Sequence, residues 1–189
     1  MDDMESRVRR AEGAGTMTRN RVGGFDRIRG DFDRIVGSVV YATMTTVDGR
    51  GRPRARVLVP VWETDGDRPV GWLATFPTPV KTAHLAGNPH TTLSYWSPAQ
   101  HTVAVDAVAS WADGADVRRR VWDLYRAGSP PGAGYDPGAY WSAPDDPEFR
   151  VLRFDPWRIQ VLRGADLVRG VPPRIWRAPE ATPAPAPGR

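Results

Sequence analysis

Residues Arg50 to Pro89 read RGRPRARVLVPVWETDGDRPVGWLATFPTPVKTAHLAGNP, and this stretch decides how the chain is built. RARVLVPVW, Arg54 to Trp62, is rich in β-branched side chains. The turn residues DGRGRP before it make it the second arm of a hairpin with Ser38 to Val47. Side chains alternate across a strand, so Ala55, Val57, Val59 and Val61 share one face, which their apolar character predicts to be interior. Arg52, Arg54, Arg56, Leu58, Pro60 and Trp62 share the other. Pro60 denies the ladder a donor and marks an edge or a bulge. ETDGDRP then turns the chain into a third strand, Val70 to Phe76. Pro79 opens a short helix that Gly87 closes, with Asn88 and Pro89 barring its continuation.

Upstream, Phe25, Ile28, Phe32, Ile35 and Val36 recur at intervals of three and four, which predicts an amphipathic helix ending near Gly37 and packing as a lid. Downstream, TTLSYW is a fourth strand. A fifth, Thr102 to Trp111, alternates Val103, Val105, Ala107 and Ala109 against Thr102, Asp106 and Ser110. ADVRRRVWDLYRAG has helical spacing with Gly128 as its stop. A long Gly/Pro loop over 128–147 carries Tyr135, Tyr140 and Trp141. Two last strands, Glu148 to Phe154 and Trp157 to Arg163, are joined by Asp155 and Pro156. Short connections without regular strand–helix alternation predict a mainly β fold, an antiparallel β-barrel of about seven strands with a few helices. One domain over 23–170 is expected, between a polar, disordered arm (1–22) and a Pro/Ala-rich disordered tail (171–189).

The chain has 189 residues, a net charge of +4 and 40% hydrophobic content, the profile of a folded domain. No apolar run reaches the roughly 20 residues of a membrane span, and the N-terminal residues lack the apolar region of a signal peptide, so a cytoplasmic protein is expected. Without cysteine there are no disulfides, thiolate nucleophiles or cysteine-held metals. Redox chemistry therefore has to come from a bound organic cofactor or a metal on N and O ligands. His84, His90 and His101 lack the paired spacing of a metal site, and none is expected. Dinucleotide fingerprint, P-loop, HExxH and GxSxG are all missing.

Lysine occurs once among 26 basic side chains, at Lys81. An ammonium on a flexible stem suits a phosphate as a point charge. Arg54 and Arg56 point the same way from the second strand, Thr75 ends the third, and Lys81 and Thr82 lie in the first turn of the next helix, whose N-terminus favours anions. Together these groups suit a phosphomonoester. Leu58, Trp62 and Trp72 are candidates to receive a flat ring attached to it.

The run T-x5-K-x3-L-x2-NP from Thr75 to Pro89, with R-V-L at Arg56 to Leu58 upstream, resembles the pyridoxamine 5′-phosphate oxidase-like, FMN-binding split β-barrel proteins. The resemblance spans roughly Ile35 to Arg163. It implies a split barrel, a homodimer with FMN at the interface, and an FMN-dependent oxidoreductase acting on a small molecule. By that likeness Arg56 and Lys81, with Arg54 nearby, hold the phosphate; Thr75 and Thr82 hydrogen-bond beside it; Val57 and Leu58 offer backbone to the ring; and Gln100 or Thr102 reaches the flavin. The pocket wall is expected from Trp96 and the Tyr135–Trp141 loop, together with the partner subunit. No catalytic acid or base is implied. Departures are equally informative: Val61 and Val80 stand where relatives carry cations, and WRIQVLRG lacks the histidine of the C-terminal substrate element. Oxidation of vitamin B6 is therefore not expected. Relatives that use a deazaflavin or bind haem supply the alternatives within the fold. A reading from another class, GRGRPRAR and exposed aromatics binding single-stranded nucleic acid, predicts affinity that falls steeply with salt.

Overall fold

In the computed structural model, which describes residues 20–179, the chain runs as α1 (Asp26–Val39), β1 (Ala42–Val47), β2 (Pro53–Leu58), β3 (Val61–Glu63), β4 (Val70–Thr75), α2 (Pro79–Gly87), β5 (His90–Trp96), β6 (Thr102–Trp111), α3 (Ala115–Ala127), β7 (Arg150–Leu162), α4 (Gly164–Val168) and β8 (Arg174–Arg177). Strand order is β2-β1-β5-β6-β7-β4-β3, with β8 on β7, and the named pairings are antiparallel. The edge strands β2 and β3 are separated only by Val59 and Pro60. A sheet whose two ends are joined by two residues has to curl back on itself, which makes the architecture a split β-barrel. Pro60 is where the expected single strand divides in two.

α1 caps the barrel. Phe25, Ile28, Phe32, Ile35 and Val36 are at most 1% exposed and pack with Met44, Trp62, Leu93, Tyr95 and Phe154. Burial of each such side chain contributes about 1.5–3 kcal/mol. Ser38 and Val39, expected in the first strand, instead complete this helix. A second apolar cluster lies on the other side of β3 and β4, where α3 lays Val121, Trp122 and Tyr125 against Val61, Trp72 and Val151. Both faces of that corner are therefore covered, and adjacent Val61 and Trp62 are both buried.

The face of β2 predicted to be interior is the outer one. Met44 opposes Arg56 and Thr43 opposes Val57 in the β1–β2 ladder; Met44 is fully buried, whereas Val57 is 64% exposed and Ala55 is exposed as well. The inner side at this strand is the one carrying Arg56 and Leu58. The alternation holds, but its inward phase is the opposite of the one hydrophobicity predicts, because the barrel interior at β2 is polar.

The two expected last strands are one 13-residue strand. Asp106 pairs with Arg158 and Ala107 with Pro156, so Trp157 is the extra residue of a bulge. The bend lets the first half of β7 pair with β4 and the second half with β8. β8 corrects the expectation of a coreless tail from 171: Trp176 is 2% exposed and meets the Phe25 ring edge-on at 5.7 Å. At the other end, Val22 donates its N–H to Ile175 C=O at 2.9 Å, so the structured part of the chain starts before residue 23. The rest of the expected arm and tail, 1–19 and 180–189, lies outside the described residues. No helix within residues 20–179 is long and apolar enough to cross a membrane.

Candidate functional site

α2 places the lone lysine. Pro79 supplies its first turn, and the i, i+4 pair Lys81 and Leu85 forms its buried face. Lys81 is 3% exposed. Its Nζ donates to Thr75 Oγ1 and, at 3.0 Å, to the Phe76 carbonyl, both at the end of β4. Across the same space, Arg56 Nη2 donates to Thr46 Oγ1 on β1 at 3.0 Å, and that hydroxyl lies 3.0 Å from His84 Nδ1 on α2. Arg56 Nη1 is buried and has no hydrogen-bond partner among the described residues. A buried guanidinium N–H without an acceptor is costly unless something else supplies one.

Electrostatics point the same way. Burial, and then the charge of Arg56, hold the Lys81 ammonium down to about 8. Burial also lowers the Arg56 guanidinium. A buried ammonium and a half-buried guanidinium have no carboxylate in their hydrogen bonds among the described residues, an arrangement a bound anion would stabilise.

A consequence for pH follows from the sign of the Lys81 shift. Below about 8 both folded and unfolded chains carry the proton; between about 8 and the ordinary 10.5 the unfolded chain binds more. Stability from this group therefore rises with pH through that window. Tyrosine phenols raised by burial act oppositely above 10. Urea midpoints of the ligand-free protein relative to Lys81→Met are thus expected to climb from pH 8 to 10; a flat difference would contradict the buried, charged lysine.

Beside the cations lies a cavity of about 320 Å³ lined by Tyr41, Val57, Leu58, Thr75, Phe76 and the aromatic loop residues Tyr135, Tyr140 and Trp141, among others. Its volume is within the roughly 300–1,000 Å³ of small-molecule sites. Thr75 belongs both to this wall and to the lysine's hydrogen bonds. α3 fixes the floor: the Tyr125 hydroxyl accepts from Ala74 N–H at 3.1 Å and donates to Val59 C=O at 2.5 Å. Trp141 packs on Phe76 with ring centres 4.9 Å apart. No lining residue is charged. Burial, and then Tyr140, raise the Tyr135 phenol, so it stays a neutral donor.

Of the predicted site residues, the structure brings together Arg56, Val57, Leu58, Thr75 and Lys81. Arg54 is exposed opposite Thr46, and Thr82 is exposed on α2. Gln100 sits in the β5–β6 turn at φ 61° and accepts from Trp96 Nε1 at 3.3 Å. Thr102 opens β6 opposite Trp96, and neither Thr102, Gln100 nor Trp96 lines the cavity. Trp62 and Trp72, candidates for the ring wall, are core: Trp62 Nε1 donates to Tyr95 Oη and Trp72 Nε1 to Glu63 Oε2, each at 2.9 Å. Thr46 and His84 were missed. Their signals were present: Thr46 continues the inward phase of Ala42 and Met44, and His84 shares the α2 face of Lys81 and Leu85.

Comparison with protein-family profiles and with curated proteins returns no match. Solved structures do match. A protein from Clostridium acetobutylicum related to general stress protein 26, of the pyridoxinephosphate oxidase family, superposes with TM-score 0.57 at 14% identity over 80% of this chain and 94% of that one. A pyridoxamine 5′-phosphate oxidase-related, FMN-binding protein from Nostoc punctiforme gives 0.53 at 20% identity over 77% and 87%. A NimC/NimA family protein from C. acetobutylicum gives 0.56 at 15% over 71% and 87%. At these identities the likeness establishes the fold, the split barrel of pyridoxamine 5′-phosphate oxidase-related proteins.

Proposed function

From that shared fold we propose that the protein binds FMN and works as a flavin-dependent oxidoreductase on a small molecule. The observation that carries the reading is the orphaned Arg56 Nη1 beside buried Lys81, at the edge of an uncharged aromatic cavity. Arg56 and Lys81 would hold the phosphate, with Thr75 between phosphate and ring; Val57, Leu58, Tyr135, Tyr140 and Trp141 would enclose the ring. The isoalloxazine, when bound, supplies the hydride or electron chemistry. The residues around it exclude water and position it. Thr75 and the cavity-lining tyrosines offer hydroxyl groups but no carboxylate or imidazole, so no acid–base pair is assigned.

A vitamin B6 phosphate is a poor substrate on this reading. Its own phosphate would need a second set of cations, and the cavity lining has none. Tyr41 and Val57, 62% and 64% exposed, form the open side of the cavity. A second copy of the chain closing over them would complete the site, as expected of a homodimer with the cofactor at its interface.

The test is a visible spectrum and fluorescence titration of the purified protein with FMN, with mass measured by light scattering. A bound flavin spectrum on a dimer is expected. Failure to bind FMN, together with saturable binding of a reduced deazaflavin, would transfer the assignment to a deazaflavin-dependent reductase.

A further inference from the structure

We propose that Thr46 and His84 are positioning residues for the anion site: His84 Nδ1 accepts a hydrogen bond from the Thr46 hydroxyl, and this fixes the Thr46 oxygen as the acceptor that aims Arg56. The inference rests on the phosphate site described above and adds two residues that do not touch the ligand. Its basis is hydrogen-bond direction. A guanidinium only donates, so in the 3.0 Å contact Arg56 Nη2 is the donor and Thr46 Oγ1 the acceptor. The single Thr46 proton is then free for the neighbour 3.0 Å away, His84 Nδ1. The Thr46 oxygen has a second lone pair that an Nδ1–H could use, but the proton of this fully buried hydroxyl would then have no acceptor among the described residues, so Nδ1 accepts and the ring carries its proton on Nε2.

The placement of Thr46 makes this a constraint rather than a surface contact. Thr46 is fully buried, and Met44, on its side of β1, is fully buried too. Its hydroxyl has Arg56 on one side and His84 on the other. With Nη2 tied to Thr46, Nη1 is left as the buried N–H without a partner. One end of the fork is anchored so that the other is presented. Lys81 is held separately, by Thr75 and the Phe76 carbonyl, so the two cations are aimed by independent sets of hydrogen bonds. α2 contributes one member to each set, Lys81 and His84, which lie three residues apart. Movement of α2 would disturb both sets at once.

Two measurements test the proposal. In ligand-free protein, long-range ¹H–¹⁵N correlation spectra, with the His84 signals assigned by their loss in His84→Gln, should show Nδ1 unprotonated and Nε2 protonated. The opposite tautomer would overturn the relay whether or not any flavin binds. Separately, Thr46→Val, which keeps the shape and removes the hydroxyl, should weaken FMN binding by about tenfold, the size of one hydrogen bond to a charged group. Affinity for riboflavin, which has the ring without the phosphate, should not change. Thr46→Ser should restore FMN binding. Equal losses for FMN and riboflavin, or an unchanged FMN affinity in Thr46→Val, would reduce Thr46 to a packing residue and refute the positioning role. If wild-type protein binds neither flavin, the flavin assignment fails while the tautomer measurement still decides the relay.

Discussion

Arg56→Ala combined with Lys81→Met is expected to cut FMN affinity by about a hundredfold or more, since a hydrogen bond to a charged group is worth about 1.5–3 kcal/mol and two are removed. Riboflavin should bind the double variant as it binds wild type, because the cavity wall at Leu58, Thr75, Phe76 and Trp141 is untouched. The single variants should separate the two cations: Arg56 presents a free Nη1, whereas both acceptors of Lys81 belong to the end of β4. The ligand-free double variant should be no less stable than wild type. It removes two like charges from a buried site, and that repulsion is part of what holds Lys81 near 8. Titration by flavin fluorescence and a urea melt of the same samples check both statements. Parallel loss of riboflavin would show that the cations shape the cavity instead of holding the phosphate.

Trp62→Ala should destabilise the fold by about 3–5 kcal/mol, the range for removing a large buried aromatic. Against a typical total of about 5–15 kcal/mol this is a large share. The indole is completely buried, meets Phe32 of the capping helix edge-on at 5.3 Å and donates from Nε1 to buried Tyr95 Oη at 2.9 Å. Truncation therefore opens a cavity and strands a buried hydroxyl. Its ladder partner is Gly71, and a Cβ there would stand 2.7 Å from the ring. Gly71→Ala should accordingly cost about 1–3 kcal/mol by overpacking. Trp62→Phe keeps the packing and loses the donor, so it should fall between wild type and Trp62→Ala in urea denaturation. A loss under about 1 kcal/mol for Trp62→Ala would contradict a filled barrel interior.

Part of the site was legible because local patterns carry it. Proline at the start of α2, glycine at its end and a lone lysine between them placed the proposed anion site within one turn of helix. Tyr135, Tyr140 and Trp141 could be picked as pocket wall because aromatics in a long Gly/Pro loop need a surface to cover. A large ring on a strand suits a ligand wall or a core equally well, and only the partners of Trp62 and Trp72 distinguish the two.

Strand positions, antiparallel order and the ends of α2 and α3 were readable from periodicity and turn chemistry, since those depend on residues within a few positions of one another. The inward face of β2 was not. Whether Arg56 or Val57 points inside depends on Met44 and Thr46 across the ladder and on His84 and Lys81 arriving from α2, residues 10 to 28 positions away in the chain. Hydrophobicity assigned that face to Val57, and the polar interior assigned it to Arg56. Closure likewise came from Val59 and Pro60 linking the two ends of the sheet, and β8 from a tryptophan in a Pro-rich segment that finds its core only against Phe25. The sequence located the lysine; the fold surrounded it with Arg56, Thr46 and His84, because packing brings together groups whose spacing along the chain carries no local signal.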